Sequence, residues 1–314
     1  MRKPVITVVG SFAVGLTIRT NHMPIFGETL IGSDFDMGPG GKGSNQAVGC
    51  ARLGADAYFA GIIGDDKLGE IASELYGREG VNVRYLTITR AAPTGVGIII
   101  LDPGGKNGII LDMGANKLMD EAFVDRVEEQ IAGSDAVMSV LELPVPAALR
   151  AMELGRKHGA RTILNPAPAT RLEPAALRNV DYLTPNETEL RILLGLKPDD
   201  PTPTPDLARR LHDGGVGHVI VTMGEAGALV LSGGEDMIVP AAPAEVVDTT
   251  GAGDAFNAAL AVALAEDRPL VEAVQFAACA GALECGALGV IPGLPGRQDV
   301  ERFYDRQFRR LGDP

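Results

Sequence analysis

Residues 247–257 read Val-Asp-Thr-Thr-Gly-Ala-Gly-Asp-Ala-Phe-Asn. Gly251 and Gly253 flank Ala252 directly before Asp254, and the alanine-rich run that follows, 255–265, predicts a buried helix. A Gly-x-Gly turn opening a helix leaves backbone N–H groups unpaired at the positive end of the helix dipole, which makes an anion site. A carboxylate that merely capped this helix would repel the anion. One that takes a proton from an attacking hydroxyl, beside N–H groups holding a transferring phosphoryl group, suits phosphoryl transfer. Taken alone, the same residues also fit an ordinary acidic helix start.

Around this stretch the chain alternates strands and helices. Strands are predicted over 4–10, 57–63, 135–141, 161–165, 180–183 and 218–222. Helices are predicted over 45–53, 67–79, 120–131, 144–158, 207–213, 253–265, 269–285 and 298–310. That alternation makes an α/β fold with a mostly parallel central sheet covered by helices on both faces. A hairpin covers 227–240. Residues 12–37, with strands over 13–20 and 28–37, and 95–112, with strands around a turn at 102–107, lack crossover helices. They predict a small β-sheet standing off the body as a lid. The proline-rich stretch 198–205 is too short to divide domains, so residues 1–314 read as a single domain.

Composition narrows the function. Apolar residues make up 46% of the chain and charged residues 22%, a globular balance. A net charge of −13, the absence of Trp and few aromatics argue against a nucleic-acid partner. Cys50, Cys279 and Cys285 form no C-x-x-C pair and read as buried free thiols in a reducing compartment. No run reaches the ~18 apolar residues a membrane span requires, and the N-terminal apolar run is broken by Gly10, Ser11 and Gly15. A cytoplasmic location without a membrane partner is expected.

A second glycine-rich stretch, Gly38-Pro-Gly-Gly-Lys-Gly-Ser-Asn-Gln46, enters the 45–53 helix. Its spacing fits neither a Walker A loop nor a dinucleotide fingerprint, which argues against a nicotinamide dehydrogenase. Backbone N–H groups, one lysine and one amide within six residues suit a polyhydroxylated ligand. A plain turn with a solvated lysine has the same composition. Thr184-Pro-Asn-Glu-Thr-Glu189 follows a strand and starts a helix, with the spacing of a capping box. Thr222-Met-Gly224 ends a parallel strand, where open α/β sheets bind ligands. Glu142 closes the 135–141 strand and fits an exposed strand-end acid as well as a ligand contact.

Together, the 247–257 run and the run from Gly40 to Gly69 resemble the two signatures of the ribokinase, or phosphofructokinase-B, family of sugar kinases. The likeness spans nearly the whole chain and is nearest the ribokinase branch, through Leu164-Asn-Pro-Ala-Pro168 and Phe26-Gly-Glu-Thr29. The resemblance implies a ribokinase-like three-layer sandwich with a lid. It implies ATP-dependent phosphorylation of a primary hydroxyl on a small sugar, D-ribose first. Asp254 is then the catalytic base, and Gly251, Ala252 and Gly253 form the anion hole. Gly41, Lys42, Asn45 and Glu142 contact the sugar, while Asn186, Thr222, Gly224, Gly227 and Gly253 serve ATP. Glu189 organises Mg²⁺ through water. Asp248 and the carbonyl of Thr250, with carbonyls of the loop 285–293, hold K⁺. A homodimer through the lid is expected.

This sequence departs from the family pattern at two places. Gly10-Ser11-Phe12-Ala13-Val14-Gly15 stands where ribokinases carry Gly-Ser-x-Asn-x-Asp, so both ribose readers are replaced by small residues. Each lost partner costs roughly 1–3 kcal/mol. Thr17 and Arg19, on the same strand face as Ala13 and Gly15, are the candidate replacements, and Arg19 would favour an acidic sugar. Gly293 stands where ribokinases have a serine near the potassium loop, which weakens the K⁺ expectation. The alternatives are a same-family kinase for a sugar acid, ketose or nucleoside, and a non-catalytic sugar-binding regulator. An intact Asp254 argues against the regulator.

Overall fold

The computed structural model describes residues 2–102 and 107–309. Along the chain the strands are β1 (Val5–Val9), β2 (Ala13–Arg19), β3 (Ser33–Gly40), β4 (Asp56–Gly64), β5 (Asn82–Thr89), β6 (Gly95–Leu101) and β7 (Asn107–Asp112). They continue as β8 (Ala136–Val140), β9 (Arg161–Asn165), β10 (Tyr182–Leu183), β11 (His218–Thr222), β12 (Ala228–Ser232) and β13 (Glu235–Val239). Among the described residues they form a nine-stranded sheet, β13-β12-β11-β10-β9-β8-β1-β4-β5, and a four-stranded sheet, β3-β2-β6-β7.

β1 shows why the large sheet sits inside. Its five residues, Val-Ile-Thr-Val-Val, are all β-branched, and it pairs in parallel with β4 on one side and β8 on the other. Ile6 and Val8 enter the core on one face, and Val9 enters the core on the other. A strand buried on both faces needs such a continuous apolar run. Helices Lys42–Arg52, Lys67–Glu79, Ala252–Ala265 and Leu270–Glu284 pack on the first face. Helices Val145–Lys157, Glu187–Leu193 and Thr204–Asp213 pack on the second. The result is a three-layer α/β sandwich. Near one edge β12 alone runs against the other strands, pairing antiparallel with β11 on one side and β13 on the other.

Helix Ala252–Ala265 is apolar all round and buried from Asp254 to Leu264, as a helix with no solvent face must be. In the small sheet β2 pairs in parallel with β6, and the outer pairings are antiparallel. Ala13 and Val14 bury one end of β2, whereas Phe35 at 64% and Ile110 at 67% exposure leave an apolar surface open.

Several elements differ from the expectations. β5 has no counterpart among them: it sits at the sheet edge beside β4, and exposed Asn82, Val83 and Arg84 break its apolar alternation. The strand expected over 28–37 begins only at Ser33, beside Asp34 at a φ of 49°. The helix expected over 120–131 is two short ones, Glu121–Asp125 and Glu128–Ala132, divided at Arg126-Val127. The centre of the 102–107 turn and the last residue of the 298–310 helix lie outside the described residues.

Candidate active site

The site is assembled where β1 ends. A Cβ on Gly43 would lie 2.5 Å from both Gly10 Cα and Ser11 N, so only glycine lets helix Lys42–Arg52 start against the strand end. The Ser44 N–H donates to the Ser11 carbonyl at 2.9 Å and locks this contact. Gly41 makes the turn into the helix at a φ of 90°. Glu142, just past β8, is buried. Its Oε2 accepts the Ser11 hydroxyl at 2.6 Å and the Lys42 N–H at 2.8 Å. Burial pushes the Glu142 carboxyl up, and those same donors, with the Lys42 charge, hold it back.

Across from this loop, Gly251 turns at a φ of 99° and starts helix Ala252–Ala265, which carries Asp254 in its first turn. Asp254 is 4% exposed. Its Oδ2 accepts from Asn45 Nδ2 at 2.9 Å and its Oδ1 from Gln46 Nε2 at 3.1 Å. Asp254 raises the pKa of Lys42 above its ordinary value against the effect of burial, with Glu142 and Glu189 adding to it. Stretches about two hundred residues apart in sequence thus share one electrostatic centre. Asn45 Oδ1 and Gln46 Oε1 are buried without a partner among the described residues.

The N–H groups of the expected anion hole are not equivalent in this structure. The Ala252 N–H is not free, because the Gly251 turn folds the Thr249 carbonyl back onto it at 3.3 Å. The N–H groups of Gly251 and Gly253 carry no such bond among the described residues.

The residues expected to serve ATP also lie together. A parallel bridge sets Asn186 beside Thr222, and the Thr222 N–H donates to the Pro185 carbonyl at 3.0 Å. Gly224 and Gly227 turn the chain after β11 at φ values of 56° and 92°. Asn186 and Glu189 do form a capping box: the Glu189 N–H donates to Asn186 Oδ1, and the Asn186 N–H to Glu189 Oε2, each at 2.8 Å. The box engages one Glu189 oxygen and leaves Oε1 out of it. Burial raises the Glu189 carboxyl, opposed by the Asn186 N–H and the Lys42 charge, while Asp254 adds to the rise. Capping the helix and facing the cleft are compatible roles.

Asp248 organises the loop before the glycines. It accepts the Thr250 N–H at 2.9 Å and the Gly289 N–H at 3.2 Å, which ties 248–250 to the 285–293 loop. Burial raises its carboxyl, but these donors and the Arg19 charge outweigh that and leave it below its ordinary value. Arg19 is exposed at the end of β2, where the pairing with β3 slips between Thr17 and Arg19. Asn116 clamps the backbone before Ala13: its Oδ1 accepts the Phe12 N–H at 3.0 Å and its Nδ2 donates to the Phe12 carbonyl at 2.8 Å.

Three residues of this centre were not singled out from sequence. Gln46 holds the second oxygen of Asp254. Asn165 accepts from Gln46 at 3.2 Å and donates to the Thr184 carbonyl at 3.2 Å. Glu284, the last residue of its helix, is fully buried, and burial beside Asp248 and Asp254 pushes its carboxyl up to about 8. Gln46 adjoins Asn45, and Asn165 lies in the Leu164-Asn-Pro-Ala-Pro168 run, so both carried a sequence signal. A glutamate closing an alanine-rich helix carries none.

Comparison with known proteins identifies the family. A model of the pfkB family of carbohydrate kinases matches residues 3–297. The chain is 35% identical over 305 residues to the ribokinase of Haemophilus influenzae, covering 97% of this chain and 99% of that one. It is 38% identical over 252 residues to a deoxyribokinase of Salmonella typhimurium, covering 80% and 82%. Among solved structures, Arabidopsis thaliana ribokinase complexed with ribose and ATP superposes with a TM-score of 0.89 at 33% identity, covering 96% and 99%. Fold and relatives agree: the chain belongs to the pfkB/ribokinase family and is an ATP-dependent carbohydrate kinase.

Proposed function

We propose that Asp254 is the catalytic base and that the acceptor is the primary hydroxyl of a small sugar, with D-ribose the first candidate. The observation that carries this reading is the Asp254 carboxylate, buried in the first turn of helix Ala252–Ala265 and gripped on both oxygens by Asn45 and Gln46. The sugar oxygen forms its bond to the γ-phosphorus as the bond to the β-phosphate oxygen breaks and ADP leaves. The hydroxyl proton passes to Asp254. The N–H groups of Gly251 and Gly253 stabilise charge developing on the transferring group. Gly41, Lys42, Asn45 and Glu142 orient the sugar, and the unpartnered Asn45 Oδ1 is free to accept one of its hydroxyls. Asn186, Thr222, Gly224 and Gly227 seat ATP.

The Arabidopsis ribokinase complex with ribose and ATP supports this ligand pair. Glu189, through the oxygen its capping box leaves open, would hold Mg²⁺ by way of water, and the ion would supply charge neutralisation at the phosphates. Asp248 and the Thr250 carbonyl, with the 285–293 loop, would hold K⁺. Their oxygen donors, with the orphaned carboxylate of Glu284 beside them, suit a hard cation. The small sheet acts as a lid that excludes water, and its open apolar face pairs with that of a second copy. Reduced, buried Cys50, Cys279 and Cys285 accord with a cytoplasmic enzyme.

Ala13 and Gly15 favour a second reading, a sugar with fewer or differently placed hydroxyls, and the deoxyribokinase relative supports it. The Arg19 charge acts on Asp248, which weighs against an acidic sugar. ADP release from MgATP decides between them, measured with D-ribose, 2-deoxyribose, ketohexoses, sugar acids and nucleosides. The first reading predicts the highest kcat/KM with D-ribose. A clear preference for another compound assigns positions 13 and 15 to a change of substrate, and no turnover with any of them overturns the proposal.

A further inference from the structure

Glu284 is the outlying charge of this molecule. It is fully buried, and neither carboxylate oxygen has a partner among the described residues. It ends helix Leu270–Glu284, where the helix dipole is negative, and it stands near Asp248 and Asp254. Each of these features opposes a bare carboxylate there, and none is offset by a nearby arginine or lysine among the described residues.

Its position is well defined. Oε1 lies 2.6 Å from where a Cβ on Gly251 would stand and 3.1 Å from where one on Gly293 would stand. The carboxylate is thus wedged between the phosphoryl-side turn and the loop expected to hold a cation. The neighbouring Cys285 carbonyl accepts the N–H groups of Val247 at 2.8 Å and Asp248 at 3.1 Å. Asp248 returns the connection through Oδ2 to the Gly289 N–H. The two acids are therefore fastened to the same pair of loops. At position 293, where the resemblance expects a serine, the chain has glycine, and the Glu284 carboxylate fills the space a side chain there would need.

We propose that Glu284 is a carboxylate ligand of a hard-cation site shared with Asp248, taking the place of the oxygen that Gly293 cannot supply. The inference rests on the reading of Asp248 and Thr250 as cation ligands and adds a residue of this chain to them. Two carboxylates and backbone carbonyls form an all-oxygen set suited to K⁺ or Ca²⁺. A cation held there would also cancel the repulsion that a bare Glu284 would exert on a phosphoryl group seated at Gly251.

The test is thermal unfolding without nucleotide or sugar, so that it reads binding rather than turnover. Wild type, Glu284→Gln and Asp248→Asn are each melted in choline chloride, KCl or CaCl₂ at equal ionic strength. The proposal predicts that wild type gains about 3 °C or more in Tm with at least one cation over choline. Glu284→Gln should lose most of that gain, yet melt no lower than wild type in choline. A gain lost in Asp248→Asn but retained in Glu284→Gln overturns the role of Glu284 and leaves the cation site standing. No gain in wild type with either cation overturns both.

Discussion

At the scale of single residues, each acid of the centre is set by what reaches its oxygens. Asp254 has two amide donors, Glu142 has a hydroxyl and a backbone N–H, and Glu284 has none among the described residues. Glu142 yields a prediction with a definite sign. Its carboxyl is raised in the folded chain, so between the ordinary carboxylate value and the raised one the native state binds the extra proton. Its stabilising effect is full below that ordinary value and is lost as pH rises through the raised one. Urea midpoints between pH 5 and 8 should therefore fall less in Glu142→Gln than in wild type, and parallel curves would contradict the assignment. The site was legible in sequence where its chemistry is local: Gly251, Gly253 and Asp254 adjoin, as do Lys42 and Asn45. Gln46 and Glu284 acquire their meaning from contacts across the fold, such as the one between Gln46 and Asp254 over 208 positions. No spacing rule could show those contacts.

At the scale of elements, the chemistry depends on how closely helix Lys42–Arg52 meets β1. Gly10 and Gly43 allow backbone to touch backbone, and a methyl group at Gly43 would find main-chain atoms that cannot step aside. Gly43→Ala should cost about 1–3 kcal/mol in unfolding free energy. It should also lower kcat/KM more than the stability loss explains, because Lys42, Asn45 and Gln46 all move with the helix. Urea melts and steady-state kinetics check both, and an unchanged kcat/KM would show that the helix start does not set the site. Central strands such as β9 and β11, and helix Lys67–Glu79, coincide with their sequence-based expectations because burial imposes an unbroken pattern on them. β5 was hidden because an edge strand needs only one covered face, and Asn82, Val83 and Arg84 lie on its exposed positions.

At the scale of the whole molecule, one sheet is buried on both faces and the other is left largely open. Phe35, Ile98 and Ile110 are exposed on the small sheet, with Ile98 and Ile110 paired on one face, an apolar surface of the kind that marks a partner site. Sedimentation should show a dimer for wild type and a monomer for Ile110→Glu, and a monomeric wild type would remove the lid interface. Everything else in this account turns on Asp254. The most direct measurement compares kcat of wild type and Asp254→Asn with MgATP and the best sugar, alongside the Tm gain each protein shows with ATP. The account predicts a fall in kcat of roughly 10²–10⁴-fold with the ATP-induced gain retained. A variant that keeps kcat within tenfold of wild type would show that Asp254 is not the base.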